Sequence, residues 1–353
     1  MNAPMDHAST VRQVDLRDDA ECARIEAFVA EHGATPFHRP AWLKAIEHGT
    51  GQRALGIVTE RAGTLTGWLP LTEVRSPLFA ATLVSSGFGM RGGALAERRK
   101  DADALCRAAE ELAQRFCATA VELRGGTAPE GWQEITGKHA NFKRPLAEDA
   151  DAELLAIPQK ARAEVRKSLR FELEIDIGRE PAHQDAFYAC YSESVRNLGT
   201  PVFPRSLFAA VIEQFGENAD ILTVRNEGRP VSSVLSLYHD GAVMPYWGGG
   251  PFEARKVRAN ERAYFELMNH GRARGSTHFD YGRSKVGTGP YNFKKWWGFE
   301  PEPLVYHSWT APGETARNID PTDAGYSARI ALWKRLPLPI ANLIGPWIAR
   351  GLG

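Results

Sequence analysis

The first half of the chain contains two successive hydrophobic patterns. After Pro40, the apolar residues Trp42, Leu43 and Ile46 form one stripe at helical spacing, which predicts a helix with one buried face. Residues 54–60 and 64–71 are short runs rich in apolar and β-branched side chains, and Gly63 between them marks a turn. This pattern predicts a helix followed by a β-hairpin.

The same order recurs about 165 residues later. Val202–Glu213 repeats the helical pattern, and residues 221–226 and 230–238 repeat the two strands around Gly228. Each half then continues with a glycine-rich break, a helix and a strand, at 105–116 and 120–124 in the first half and at 260–274 and 277–282 in the second. Two copies of one supersecondary unit predict two domains of one fold with a groove between them.

The composition agrees with two domains. A chain of 353 residues that is 43% hydrophobic can bury two ordinary cores. Lys plus Arg and Asp plus Glu number 43 each, so the overall charge draws in neither nucleic acid nor anionic lipid. Any such partner must therefore be held by a local patch.

The cysteines and the N-terminus predict a reduced, cytoplasmic protein. Cys22, Cys106, Cys117 and Cys190 form no C-x-x-C pair and lie in predicted helices, where free cysteine is a small buried hydrophobe. The N-terminus lacks a basic region followed by an apolar run, and no apolar stretch reaches ~20 residues. We expect no disulfide framework and no metal site.

A basic segment joins the two halves. Arg162, Arg166 and Arg170 recur every four residues and therefore share one face of a predicted helix, where they suit a phosphate group. Glutamates nearby in sequence, Glu164 among them, offer partners to these bases, and a solvated helix face is the alternative.

The most distinctive run extends from Phe279 to Pro301. Asp280 follows a predicted strand, and the cationic and aromatic residues 291–297 lie where we expect a loop to turn back toward the sheet. Such a loop can present Lys294 at a cleft, where an ammonium group stabilises negative charge developing on a carbonyl oxygen. In the alternative interpretation, the aromatic residues of this run only cap a hydrophobic core.

Other reactive arrangements lack support in the sequence. The chain has no G-x-S-x-G elbow, no G-x-x-x-x-G-K-[ST] loop and no H-E-x-x-H pair. A serine hydrolase, a P-loop nucleotide hydrolase and a zinc metalloprotease are therefore not indicated.

The element order in each half is that of a GNAT-type acyltransferase domain, and particular stretches carry a closer resemblance. From about Phe37 to His307 the chain resembles the Fem-type transferases, and most of all the FemAB-family proteins associated with PEP-CTERM/exosortase exopolysaccharide systems. The carrying stretches are F-H-R-P-A-W-L, S-V-R-N-L-G-T-P-V-F-P-R, the run from Phe279 to Pro301, and W-K-R-L-P-L-P-I-A-N-L-I-G-P-W-I-A-R.

The resemblance implies an α/β (α+β) fold with two tandem GNAT-like acyltransferase domains, each a mixed, mostly antiparallel sheet flanked by helices. We place the N-terminal domain at 1–148, the C-terminal domain at 149–310 and a tail at 311–353. It also implies transfer of an aminoacyl group from aminoacyl-tRNA to an amine of a cell-wall precursor.

Two departures from the family pattern affect the choice of donor and site. The Fem-like F-K-x-G-F pattern begins at Phe293 and Lys294 but is lengthened at its end by Lys295–Phe299. Residues 254–260 lack the R/Q-x-x-G-x-G/A turn that holds the pyrophosphate of coenzyme A (CoA) on backbone N–H groups at a helix N-terminus. CoA is therefore not the favoured donor, although aminoacyl-tRNA and acyl-CoA both stay open, and no bound cofactor is expected.

The expected roles follow from the motif and the predicted cleft. Lys294 and Arg283 stabilise negative charge, and Asp280 orients them or takes a proton. Seven further residues are assigned to substrate binding: Tyr246, Asn260, Tyr291, Phe293, Lys285, Arg162 and Arg166.

The resulting functional hypothesis is an N-acyl or aminoacyl transferase acting on a saccharide or lipid-linked precursor in exopolysaccharide or cell-envelope biosynthesis. One alternative is a CoA-dependent GNAT N-acetyltransferase. The other is a non-catalytic scaffold of the polysaccharide export machinery.

The tail has the composition of a segment that contacts a membrane interface. Trp333 and Trp347 bracket a short apolar stretch, with basic residues at both ends. Pro337, Pro339 and Pro346 argue against one continuous helix, and packing on the protein's own surface is the alternative. The tail therefore predicts either a cytoplasmic protein or one held at the inner face of the membrane. The oligomeric state stays open.

Overall fold

The computed structural model describes residues 9–76, 79–315 and 324–351. Over these ranges the chain forms two compact units. The first consists of the chain up to Thr136 together with a strand at Tyr306–Thr310, and the second consists of Gly137–Leu304 and the C-terminal helices that end at Ala349. Strands and helices are numbered along the chain.

The first unit is a mixed sheet with helices on both faces. Its helices are α1 (Asp19–Glu31), α2 (Pro40–Thr50) and α3 (Arg99–Arg115). Its strands are β1 (Thr10–Gln13), β2 (Arg53–Arg61), β3 (Thr64–Ser76), β4 (Phe79–Ser85), β5 (Leu95–Ala96), β6 (Ala120–Arg124), β7 (Gln133–Ile135) and β17 (Tyr306–Thr310). Within the described residues the sheet order is β1-β2-β3-β4-β6-β17-β7, with β5 paired to β3. Strands β4 and β6 run parallel, and the other pairs are antiparallel.

Alternating residues of the first sheet face two separate cores. Leu55 and Ile57 of β2 pack with the apolar face of α3, whereas Val58 packs with Ile25 of α1 and Leu43 of α2. This alternation is the period of two that a strand covered on both faces requires. The helix predicted to start at Pro40 and the strands predicted around Gly63 therefore form where expected.

The second unit repeats this plan with more helices. Its helices are α4 (Ala150–Ala156), α5 (Gln159–Ser168), α6 (Pro181–Leu198), α7 (Arg205–Phe215), α8 (Ala259–Ala273), α9 (Gly289–Trp296), α10 (Ala324–Arg335) and α11 (Leu338–Ala349). Its strands are β8 (His139–Asn141), β9 (Lys143–Pro145), β10 (Leu173–Gly178), β11 (Ala219–Asn226), β12 (Arg229–His239), β13 (Ala242–Gly249), β14 (His278–Asp280), β15 (Ser284–Lys285) and β16 (Glu302–Pro303). The described strands form one sheet in the order β10-β11-β12-β13-β14-β9 and a small sheet in the order β15-β8-β16.

The two units share details of their central hairpins. Ala62-Gly63 and Glu227-Gly228 both have positive φ at each residue, from 49° to 80°, which is the two-residue turn that matches the twist of a hairpin. The pairing shifts at Thr59/Glu60 in one hairpin and at Val224/Arg225 in the other, three residues before each turn. The predicted fold class is confirmed: mixed α/β, with mostly antiparallel sheets flanked by helices.

The contacts between residues place the boundaries of the two units elsewhere than at 148/149 and 310/311, where the sequence predicted them. Residues 137–148 lie with the second unit, because β9 pairs with β14 and β8 pairs with β15 and β16. Strand β17 lies with the first unit, because it pairs with β6 and β7. Both differences come from strand pairs between residues that are far apart in sequence.

One cysteine departs from the expectation. Cys22, Cys106 and Cys190 are buried in α1, α3 and α6, as predicted. Cys117 is exposed and lies beyond the end of α3, where it has φ 54° in the turn that leads to β6. The prediction of a buried helical residue was wrong there, because the helix ends at Arg115.

The tail forms two helices. Helix α10 ends at Arg335 and α11 begins at Leu338, so the chain breaks at Pro337 as the prolines predicted. Pro346 lies inside α11, near its C-terminal end. Of the helices in the described residues, none is both long and apolar enough to cross a bilayer.

Candidate active site in the second unit

Strands β13 and β14 of the second unit are adjacent only at their beginnings. They pair in parallel at Ala242–His278 and Val243–Phe279. Strand β14 then ends at Asp280, whereas β13 continues to Gly249. In the part of the chain that the structure describes, residues 244–249 of β13 have β12 on one side and no strand on the other. A strand edge of this kind offers backbone N–H and C=O groups to an extended ligand.

A tight turn lies where the two strands separate. The Asp280 carboxylate is buried and accepts a hydrogen bond from the backbone N–H of Gly282 at 2.9 Å. Gly282 has φ 68°, which its missing Cβ allows without strain. The backbone N–H of Tyr281 donates to the carbonyl oxygen of Phe142 at 2.8 Å. Asp280 therefore shapes the 280–283 turn, and Arg283 is held at the end of this turn.

The cationic and aromatic run forms helix α9, and the predicted loop was wrong at this place. Pro290 occupies the first turn of the helix, where its missing N–H is not needed. Gly298, with φ 83°, follows the helix and allows the chain to reverse beside Pro158. The helix places Lys294 on its buried side.

Lys294 is clamped by the backbone of the 280–283 turn. Its Nζ donates to the carbonyl oxygens of Tyr281 at 2.7 Å, Gly282 at 2.9 Å and Arg283 at 3.1 Å. An ammonium group has three N–H donors, and these bonds use all three. The Nζ also lies 5.4 Å from the ring centre of Phe142, and the residue is only 9% exposed.

Burial sets the protonation of Lys294. Loss of solvation lowers its pKa to about 7, the negative charge of Asp280 opposes this, and the positive charge of Arg283 adds to it. A lysine in this state titrates near neutral pH. To bind an oxyanion directly, however, the ammonium would have to release one of its three carbonyl oxygens. In this conformation Lys294 therefore positions the 280–283 turn.

The aromatic residues of α9 extend the core of the unit. Phe293 packs 5.8 Å from Tyr264 and 6.4 Å from Tyr281, measured between ring centres. Tyr291 meets Phe142 edge-on at 5.2 Å. Trp297 and Phe299, beyond the helix, are fully buried in the same cluster. The core-capping interpretation therefore describes these aromatic residues.

Sequence reasoning missed Glu261, an acid in the first turn of α8. Burial raises the pKa of its carboxyl group, an effect that the positive charge of Arg258 opposes. Burial raises the pKa values of Tyr264 and Tyr281, and the negative charge of Glu261 adds to both rises. Glu261 and Tyr264 are three residues apart on α8 and share one face of the helix, and the ring centre of Tyr264 lies 4.9 Å from that of Tyr281. Acidic residues are common in the first turn of a helix. The sequence alone therefore does not distinguish Glu261 from a glutamate on the surface.

The start of α8 is also organised by polar contacts. Asn260 accepts a hydrogen bond from the Ser232 hydroxyl at 2.7 Å. Arg258 precedes the helix with φ 56° and forms an ion pair with Glu164 of α5. The side chain of Asn260 is thus anchored to β12.

The remaining predicted site residues are more dispersed. Tyr246 contacts Trp247 edge-on at 4.5 Å, and Trp247 packs on Phe208 of α7, so this pair lies on the α6–α7 side of the sheet. Lys294 and Phe293 lie on the α8 side. Lys285 lies in β15, paired with His139 of β8.

The basic face of α5 is open to solvent. Arg162 donates to the carbonyl oxygen of Leu155 at 3.2 Å, and Arg166 is exposed. The ion pairs of Glu164 run to Lys167 and to Arg258. Glu164 therefore neutralises Lys167 and Arg258 rather than Arg162 and Arg166, the two arginines predicted to bind phosphate.

Comparisons with known proteins agree with this architecture. Residues 158–295 match the family model described as acetyltransferase (GNAT) domain. FemX is similar in structure with a TM-score of 0.63 at 15% identity, covering 84% of this chain and 96% of FemX. No curated protein matches the sequence significantly.

Two further solved structures are similar across both units. A tandem GNAT protein from the clavulanic acid biosynthesis pathway has a TM-score of 0.56 at 13% identity, covering 87% of this chain and 100% of that one. The C-terminal domain of a putative lysylphosphatidylglycerol synthetase from Agrobacterium fabrum has a TM-score of 0.56 at 12% identity, covering 84% and 93%. The chain thus has the fold of tandem GNAT proteins, and its matched segment, which contains Glu261, Asp280 and Lys294, is similar to a GNAT acetyltransferase domain.

Proposed function

We propose that the protein is a transferase that moves an acyl or aminoacyl group onto an amine of a saccharide or lipid-linked precursor of an exported polymer. The observation that carries this proposal is the separation of β13 from β14. It leaves an open strand edge next to a turn built from Asp280, Arg283 and Lys294. Tyr281 of this turn contacts Tyr264, which lies one helical turn from Glu261. The GNAT match and the similarity to FemX support the reaction class.

In the proposed reaction the acceptor amine attacks the carbonyl carbon of an acyl ester. Glu261 takes the proton of the amine, for which its raised pKa suits it. Arg283 balances the negative charge that develops on the carbonyl oxygen. The C–N bond forms, the C–O bond breaks, and the departing oxygen receives the proton from Glu261. Lys294 acts by holding the turn that positions Arg283.

The proposed donor is an aminoacyl ester, and the start of α8 supports this choice over CoA. The pyrophosphate of CoA would have to bind at a helix N-terminus. Here the first turn carries Glu261, and Arg258 before it is paired with Glu164. A partly buried acid at this place repels an anionic group. The similarity to a putative lysylphosphatidylglycerol synthetase, whose name implies an aminoacyl group and a lipid acceptor, supports this choice.

A CoA-dependent acetyltransferase is the second candidate, favoured by the description of the matched family model. Isothermal titration calorimetry with acetyl-CoA separates the two. The aminoacyl proposal expects no binding of acetyl-CoA at micromolar concentration. Saturable heat of binding by the wild type would favour the acetyltransferase and would show that Glu261 does not exclude the pyrophosphate.

Mass spectrometry of the exported polysaccharide and its lipid-linked precursors tests the proposal directly. A strain lacking the gene should lose an acyl or aminoacyl mass increment, and the wild-type gene should restore it. Glu261→Gln should reduce the decoration at least about 100-fold, the range expected for a general base. Glu253→Gln changes an exposed acid before the same helix and should decorate normally. Identical spectra with and without the gene would contradict the transferase proposal.

A further inference from the structure

The C-terminal helices carry positive charge without any acid. Residues 324–351 contain Arg329, Lys334, Arg335 and Arg350 and no Asp or Glu. The chain as a whole is neutral at pH 7, so this segment is a local basic region. Lys334, Arg335 and Arg350 are exposed. Such a region attracts an anionic surface at short range.

Helix α11 packs on the second unit through its smallest residues. Ala341, Gly345 and Ala349 are buried and recur every four positions, so they share one face of the helix. A Cβ on Gly345 would lie 3.1 Å from the backbone nitrogen of Val202, which shows how closely the helix approaches. The Asn342 side chain donates to the hydroxyl of Ser192 in α6 at 3.3 Å. The helix is therefore held in a defined orientation.

The opposite face of α11 presents large apolar side chains to solvent. Ile340 is 47% exposed, Leu343 78%, Ile344 38% and Trp347 48%. Their spacing of three, one and three residues places them on one face of the helix. Leu332 of α10 is 67% exposed. Scattered exposed apolar residues are normal, but a continuous helical face of this kind marks a binding surface.

We propose that this face of α11 binds the surface of a bilayer that contains anionic lipids, with Trp347 at the level of the headgroups and Lys334 and Arg335 against the lipid phosphates. The helix has 12 residues, so it measures about 18 Å and cannot span a hydrocarbon core of about 30 Å. A helix that is apolar on one side with basic residues at its ends lies in the interface plane. The proposal is independent of the donor and of the reaction proposed above.

The charge also distinguishes a bilayer from a second copy of the chain as the occupant of this face. In a two-fold dimer the same surface meets itself, so the basic residues of both copies would come together. An anionic bilayer has the complementary charge and an apolar interior for the four exposed side chains.

Vesicle co-sedimentation of the full chain tests this binding. Vesicles of phosphatidylcholine and phosphatidylglycerol in equal amounts should bind the protein at least tenfold more tightly than phosphatidylcholine alone, and salt should weaken the binding. The double substitution Leu343→Ser and Trp347→Ser should reduce binding at least tenfold, because both side chains are exposed and serve no core. Leu155→Ser, at a residue of α4 that is 63% exposed, should bind like the wild type.

Lys334→Gln with Arg335→Gln gives a second measurement that does not depend on the apolar residues. It should lower the preference for anionic vesicles while leaving the thermal stability unchanged. Three results would overturn the proposal: no co-sedimentation with either vesicle, full binding by the Leu343→Ser and Trp347→Ser protein, or a lipid-free dimer that Leu343→Ser converts to a monomer. The last result would assign the face to a second copy of the chain.

Discussion

Lys294 shows how one residue joins stability to the geometry of the candidate site. Burying an ammonium group is unfavourable unless hydrogen bonds replace its water. Here three backbone carbonyls do so, and all three belong to the turn that follows β14. The lysine therefore determines the path of the chain at Asp280–Arg283. Any reactive group on this turn depends on it indirectly.

The lowered pKa of Lys294 predicts a pH dependence of stability. In the unfolded chain Lys294 has the ordinary lysine pKa of about 10.5, whereas in the folded chain its pKa is about 7. Unfolding between these values takes up a proton, so this group makes the fold more stable as pH rises from 7 to 10.5, by at most about 1.4 kcal/mol per pH unit. Urea unfolding of the wild type and of Lys294→Met should show a free-energy difference that grows in favour of the wild type over this window.

Below pH 7 the same difference should be constant, because Lys294 is then protonated in both states. The control is Lys295→Met, since Lys295 is exposed on the same helix. Parallel pH profiles for the wild type and Lys294→Met would show that the three carbonyl oxygens keep the ammonium charged at all these pH values, contrary to this prediction.

At the scale of elements, the chain between β4 and β5 lies unusually close to the end of β6. A Cβ built on Gly93 would stand 1.8 Å from the carbonyl oxygen of Gly125, where no side chain fits. The backbone N–H of Gly93 donates to the carbonyl oxygen of Arg124, and a ring nitrogen of His38 bonds to the carbonyl oxygen of Gly93 at 3.1 Å. Gly93 therefore allows its own segment, the segment at Gly125 and the turn that contains His38, just before α2, to meet.

Gly93→Ala should destabilise the first unit by at least about 3 kcal/mol, because backbone must shift to admit the methyl group. Gly289→Ala is the matched control, since a Cβ at that position meets nothing within 4 Å. Urea unfolding monitored by circular dichroism measures both. Equal free energies of unfolding for the two variants would contradict this prediction and show that the backbone near Gly125 moves aside without loss of stability.

At the scale of the whole molecule, the first unit is built from two distant parts of the chain. Strand β17 lies between β6 and β7 and pairs with both. The hydroxyl of Tyr306 donates to the carbonyl oxygen of Met90 at 2.8 Å. A boundary drawn at residue 148 removes a central strand from this sheet.

We therefore expect residues 9–148 alone to lack cooperative unfolding. Residues 9–136 joined through a Gly-Ser linker to 305–315 should unfold cooperatively, because the linked strand restores the order β6-β17-β7. The same fusion with the order of residues 305–315 scrambled is the control. Near-ultraviolet circular dichroism during urea titration distinguishes them, and a cooperative transition for residues 9–148 would show that β17 is dispensable.

Local pattern was sufficient for most of the elements and for the repeat. Periodicity and turn residues, which act between neighbours in sequence, predict the helix that starts at Pro40, the hairpins at Gly63 and Gly228 and the strand at 120–124. The tandem fold class could be predicted from the duplication, because both copies keep the same order of elements. Five exposed large apolar residues lie in the tail, and its composition already indicated an apolar segment there. Only the structure shows that four of them share one face of α11.

The tertiary structure decided what depends on distant contacts. It placed β17 in the first sheet and residues 137–148 in the second unit, because strand pairs form between segments that no local pattern connects. It turned Lys294 inward onto three carbonyl oxygens, and it partly buried Glu261 one helical turn from Tyr264, since solvation and charge are properties of the folded surroundings. The sequence by itself determined which elements form and that they form twice. Which side chains share one site was decided only when those elements packed.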